Sequence, residues 1–133
     1  MKKILCIDDE PRILRILQHM LSREGYEVLT ASDPRDTIRL IEDEQPDLLV
    51  LDVEMPGISG LEVFDRLKAR FRDCPVLFAT GYPEAFHLES EEKSRRFHEG
   101  FADGLTDILY KPFRQEEVSA KVDAMIGPGI SIS

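Results

Sequence analysis

Short apolar runs recur along the chain at Ile4 to Ile7, Val28 to Leu29, Leu48 to Leu51, Val76 to Ala79 and Ile108 to Tyr110. The stretches between them are long enough for helices. Unbroken apolar runs suit strands covered on both faces, so the alternation reads as βα units around a parallel sheet. The intervening segments carry helical spacing: Ile13, Leu14, Leu17 and Leu21 share one face, as do Leu61, Phe64, Leu67 and Phe71, and later Val118, Val122 and Ile126. These stripes are core. Five strands and five helices then account for nearly the whole chain.

Helix starts agree with this phasing. Pro11 and Pro34 fall at first-turn positions, Asp33 is placed to cap the second helix, and Ser59 with Glu62 forms a capping box for the third. A length of 133 residues fits one domain whose core needs no disulfide or structural metal. The formal charge of −9, from 26 acidic against 17 basic residues, opposes the basic footprint of a nucleic-acid binder. Cys6 and Cys74 have neither the density of a disulfide framework nor metal-ligand spacing, which points to a reduced, cytoplasmic setting. The apolar stretch after Lys2 and Lys3 is too short for a signal segment or a membrane span. Only Gly127 to Ser133 has linker-like composition.

Candidate chemistry gathers where strands end. Asp8 and Asp9 follow the first run, Asp52 the third, Thr80 the fourth and Lys111 the last. The ligand crevice of an open parallel sheet lies at the carboxyl ends of its strands. Three carboxylates, a hydroxyl and an ammonium there make a divalent-metal and phosphoryl site. Taken singly, each residue has an ordinary reading: Asp8 and Asp9 as helix-end solvation, Asp52 as a loop aspartate, Thr80 as a strand-end hydroxyl, Lys111 as a surface cation. Together they suit a hard cation with oxygen ligands. Asp52 opens VEMPGISG, whose proline and two glycines indicate a tight loop approaching something closely. With an ordinary carboxylate pKa near ~3.9 it would be ionised and need no general base, making an aspartyl phosphate its natural product.

At CIDDE, LDVEMPGISG, the FAT before Gly81, and YKPF, the chain resembles the receiver domain of bacterial two-component response regulators, from Met1 to about Ile126. The resemblance implies an α/β, doubly wound, five-stranded parallel sheet of order 2-1-3-4-5, flavodoxin-like or CheY-like. It implies a receiver domain over 1–126 and a tail or the start of a linker over 127–133. Asp52 would accept a phosphoryl group from a histidine kinase or histidine phosphotransfer protein. Asp9, Asp52 and the backbone carbonyl of Glu54 would bind Mg2+, with Asp8 helping directly or through water. Lys111 would neutralise phosphoryl oxygens, Thr80 would bond one of them, and the Lys111–Pro112 bond is expected cis. Such a domain is a phosphoacceptor that assists its own phosphorylation and dephosphorylation, without direct contact to nucleic acid or membrane. A homodimer on phosphorylation is compatible with the family.

Two departures stand out. Ile108 replaces the aromatic residue that the family commonly carries three positions before the lysine, and Tyr82 is the first candidate for a substitute relay. Thr80 and Lys111 are 111 − 80 = 31 positions apart, longer than usual by about two helical turns. Glu89 with Lys93, Glu91 with Arg95 and Glu92 with Arg96 would lace a solvated helix face there. Glu54 lies where the family tunes dephosphorylation. His19, His87 and His98 read as surface residues. Two other classes stay open: a phosphohydrolase working through an aspartyl phosphate, and an adaptor that binds without phosphorylation.

Overall fold

A computed structural model of the chain describes residues 1–81 and 99–127. Five strands, β1 (Lys3–Ile7), β2 (Glu27–Ala31), β3 (Leu48–Asp52), β4 (Val76–Thr80) and β5 (Thr106–Tyr110), form one all-parallel sheet of order β2-β1-β3-β4-β5. Each apolar run falls inside one of these strands. The order is the one the resemblance implied, with the reversal of winding between β1 and β3.

Side chains alternate across the sheet, and two cores divide accordingly. Ile4 and Cys6, Leu48 and Val50, and Leu77 and Ala79 pack on one face with Leu14, Leu17 and Leu21 of α1 (Pro11–Arg23) and with Val118 and Val122 of the C-terminal helix (Gln115–Ile126). Leu5 and Ile7, Leu49 and Leu51, and Val76 and Phe78 pack on the other. There they meet Ile41 of α2 (Thr37–Glu44) and Val63, Phe64 and Leu67 of α3 (Gly60–Arg70). Burial on both faces is why the central strands read as unbroken apolar runs.

Local chemistry sets the helix ends. Pro11 stands in the first turn of α1, where its missing N–H costs nothing. Ser59 Oγ accepts the Glu62 N–H and caps α3. The second helix differs from expectation. Asp33 caps a separate 3-10 turn, Pro34–Asp36, by accepting the Arg35 N–H, and α2 begins only at Thr37. Thr37 is buried and donates its hydroxyl to the Pro34 carbonyl, which holds the tighter turn in place. Residues 99–102 are helical and lead into β5. Tyr82, His87, His98 and the Glu89 to Arg96 pairs lie outside the described residues. His19 is exposed. Among the described residues, no helix is long and apolar enough to cross a membrane.

Candidate functional site

The parallel register brings the candidate residues to one edge of the sheet. Asp52 is the last residue of β3 and pairs with Ala79, so Thr80 stands one position beyond it, opposite Tyr110. Asp8 follows β1, and its N–H donates to the Ala31 carbonyl at 3.3 Å, extending the β1–β2 ladder. Lys111 follows β5 and its N–H donates to the Thr80 carbonyl at 2.8 Å, tying the ends of β4 and β5. The Lys111–Pro112 peptide is cis. Asp8, Asp52 and Thr80 are all buried, at 1%, 5% and 1% exposure.

Asp8, Asp9 and Asp52 each place a carboxylate oxygen within 4.8 Å of the others. This all-oxygen set fits a hard divalent cation such as Mg2+, which takes one or two carboxylates and keeps several waters. Lys111 supplies the balancing charge: its Nζ lies 3.0 Å from Asp8 Oδ2 and 3.4 Å from Asp52 Oδ1. Backbone donors hold the carboxylates too. Asp8 Oδ1 accepts the Glu10 N–H at 2.9 Å, and Asp52 Oδ1 accepts the Glu54 N–H at 3.3 Å.

The electrostatics correct one expectation. Burial, and then the neighbouring Asp8 charge, push the Asp52 carboxyl up to about 7, while Lys111 and the Glu54 N–H pull against them. Asp52 is therefore not an ordinary carboxylate. Burial would lower the Lys111 pKa, but its bond to Asp8 and the charges of Asp52 and Asp8 outweigh that and hold it above its usual range. The crevice is short of positive charge, and a bound cation would relieve that deficit.

The site thus assembles Asp8, Asp9, Asp52 and Lys111 by side chain, and Thr80 by register and backbone bonding. Glu54 joins through its N–H, with its side chain exposed at the mouth. Ile108 is half-buried and packs into the core on the α2–α3 face, in register with Phe78. Tyr110 is half-exposed. Both cysteines are free, and burial raises Cys6 to about 12 and Cys74 to about 11, so neither offers a reactive thiolate.

The sequence marks both glycines of the VEMPGISG loop for a close approach without telling which one makes it. Gly60, the first residue of α3, donates its N–H to the Val53 carbonyl at 2.8 Å, and a Cβ added there would stand 2.2 Å from the Asp52 carbonyl oxygen. The two glycines of PGISG look alike in sequence, yet they do different work. Gly57 adopts φ +86 in open space, whereas Gly60 is needed for close approach.

Comparison with known proteins places these features in a family. The model of the response regulator receiver domain matches residues 4–123. The chain is 39% identical over 125 residues to the alkaline phosphatase synthesis transcriptional regulatory protein PhoP of Bacillus subtilis (strain 168), covering 94% of this chain and 48% of that protein. It spans about half the length of the curated relatives it matches. Among solved structures, the response regulator TrrA of Thermotoga maritima in complex with Mg2+ and BeF is 34% identical with a TM-score of 0.77, covering 94% of this chain and 99% of that one. A structure of histidine kinase ThkA in complex with TrrA matches at 33% identity and a TM-score of 0.75, covering 95% of this chain and 99% of that one.

Proposed function

The chain belongs to the response regulator receiver domain family, and on that footing we propose that Asp52 is its phosphoacceptor in a Mg2+-dependent phosphorylation switch. The observation that carries this reading is the placement of Asp52. It ends β3 inside a group of three carboxylates, with Lys111 Nζ 3.4 Å away. A receiver accepts a phosphoryl group in signal transduction.

Asp8, Asp9 and Asp52 would hold Mg2+ together with the Glu54 carbonyl. Bound there, the ion would neutralise charge on the phosphoryl oxygens and keep Asp52 ionised. Asp52 Oδ1 accepts the Glu54 N–H and faces Lys111 Nζ at 3.4 Å, which favours Oδ2 as the attacking oxygen. Its lone pair forms the new O–P bond as the P–N bond to the donor imidazole breaks, and the bonding pair leaves with the imidazole. Lys111 exchanges its bond to Asp8 for a phosphoryl oxygen, acting as a point charge. Positioning and electrostatics carry such a transfer.

The added charge then reaches the surface through Thr80 and Lys111. The backbone bond between them makes β4 and β5 move together at this edge. With Ile108 packed in the core, the outward relay does not use an aromatic side chain at that position. TrrA has been seen in complex with a histidine kinase; by similarity the donor here is a histidine kinase or a histidine phosphotransfer protein. We assign the receiver to 1–126 and a tail or linker to 127–133, place the domain in the cytoplasm, and allow homodimerisation on phosphorylation. The domain assists its own phosphorylation and dephosphorylation rather than turning over external substrates. The test is whether the protein gains one phosphoryl group from a small phosphodonor and Mg2+, on Asp52 alone.

A further inference from the structure

We propose that Gly60 is a positioning residue for this crevice: it lets the first turn of α3 rest on the Asp52–Val53 peptide and so fixes the phosphoacceptor loop before any cation binds. The inference rests on the assignment of Asp52 and its neighbours as the metal and phosphoryl site. Three observations lead to it. An ideal Cβ on Gly60 would lie 2.2 Å from the Asp52 carbonyl oxygen, 2.9 Å from Val53 Cα and 3.0 Å from the Asp52 carbonyl carbon. All three are backbone atoms, which cannot swing aside as a side-chain tip would. The Gly60 N–H reaches back to the Val53 carbonyl at 2.8 Å, and Ser59 caps the same turn, so α3 and the loop are joined as well as packed.

The φ of Gly60 lies outside the left-handed region, so the requirement is for space and not for conformational freedom. Adding one methyl group must therefore displace either α3 or the Asp52–Val53 peptide. α3 is anchored by buried Val63, Phe64 and Leu67, which leaves the loop to give way. Movement of that peptide carries two groups with it. Asp52 is attached directly, and the Glu54 N–H is bonded to Asp52 Oδ1 at 3.3 Å. A misplacement of about 1 Å at a reacting group is enough to cost roughly a hundredfold in rate.

The experiment compares wild type, Gly60→Ala and Leu21→Ala. Leu21 is fully buried on α1, in the core on the opposite face of the sheet from α3, so it controls for lost stability. Each protein is titrated with Mg2+ by calorimetry at a temperature where circular dichroism shows it folded, then phosphorylated with phosphoramidate. Gly60→Ala should lose more than about tenfold in both Mg2+ affinity and phosphorylation rate, whereas Leu21→Ala should keep both within about twofold of wild type. Unchanged Mg2+ affinity in Gly60→Ala, or an equal loss in Leu21→Ala, overturns the proposal. Should Gly60→Ala fail to fold, amide exchange in metal-free wild type decides the matter: a Gly60 N–H as protected as that of Val63 supports a preset loop, and one as open as Gly57 overturns it. Wild type that binds Mg2+ yet takes no phosphoryl group would refute the Asp52 assignment, while the Mg2+ and exchange data still decide the role of Gly60.

Discussion

Lys111 Nζ bonds Asp8 Oδ2 at 3.0 Å across 103 positions of the chain. The ammonium stands farther, at 3.4 Å, from the Asp52 carboxylate it is proposed to serve. Lys111 thus offsets the repulsion between two buried acids. A bound cation would take over that role and free the ammonium for phosphoryl oxygens.

Removing the ammonium should therefore unbalance the crevice. Breaking a buried pair costs ~3–5 kcal/mol, and the partial exposure of Lys111 screens it, so Lys111→Met should lose about 2 kcal/mol at pH 8 without metal. Mg2+ should restore stability more in the variant than in wild type. Calorimetric melting with and without Mg2+ measures this, and an equal metal response in both proteins would count against the shared role.

Asp52 gives stability a pH dependence of known sign. Its folded-state pKa of about 7 lies above the unfolded value near ~3.9, so the folded protein binds the extra proton between them. That contribution is full below the unfolded value and is lost as pH rises through about 7. Lys111 remains charged across this window. Asp52→Asn should abolish the decline, leaving the metal-free variant about 2 kcal/mol more stable than wild type at pH 8 and nearly equal to it at pH 4. Urea unfolding across that range decides the point; parallel pH profiles for the two proteins would refute it.

The strand-end chemistry was legible because a parallel sheet puts all its carboxyl ends together, so Asp8, Asp52 and Lys111 needed only correct strand phasing. Three features were not. The raised pKa of Asp52 depends on burial and on Asp8, which are properties of the fold. The 3-10 turn at Pro34 depends on the buried Thr37 hydroxyl, where sequence showed only a cap and a proline. Gly60 could not be told from Gly57, because which glycine meets the Asp52–Val53 peptide depends on how the first turn of α3 folds back against the end of β3.

The domain boundary has its own test. The Tyr26 hydroxyl donates to the Gly127 carbonyl at 2.7 Å, and Lys2 Nζ donates to the Ile126 carbonyl, fastening the end of the last helix beside the start of β2. Truncation after Gly127 should leave stability unchanged. Truncation after Val122 should destabilise strongly by stripping Met125 and Ile126 from the core, and Tyr26→Phe should cost about 1 kcal/mol. Chemical denaturation of the three proteins reports the order, and a large loss from removing residues 128–133 would move the boundary outward.

Glu54 is exposed at the crevice mouth, where its charge should discourage attack by water on the aspartyl phosphate. An interaction of about 1 kcal/mol across a few ångströms of water corresponds to roughly fivefold in rate. Glu54→Ala should shorten the phosphoprotein lifetime by about that factor, as followed by loss of the phosphorylated mass. An unchanged lifetime would remove Glu54 from the account.

The central claim concerns Asp52 itself, and intact mass after incubation with phosphoramidate tests it most directly. With Mg2+ the wild type should gain one phosphoryl group, and it should gain none when Mg2+ is chelated or when Asp52 is replaced by Asn. An adduct that survives Asp52→Asn, or no adduct with wild type, would contradict the assignment, and steady release of phosphate from a small phosphodonor without accumulation of the phosphoprotein would contradict the switch in favour of a hydrolase.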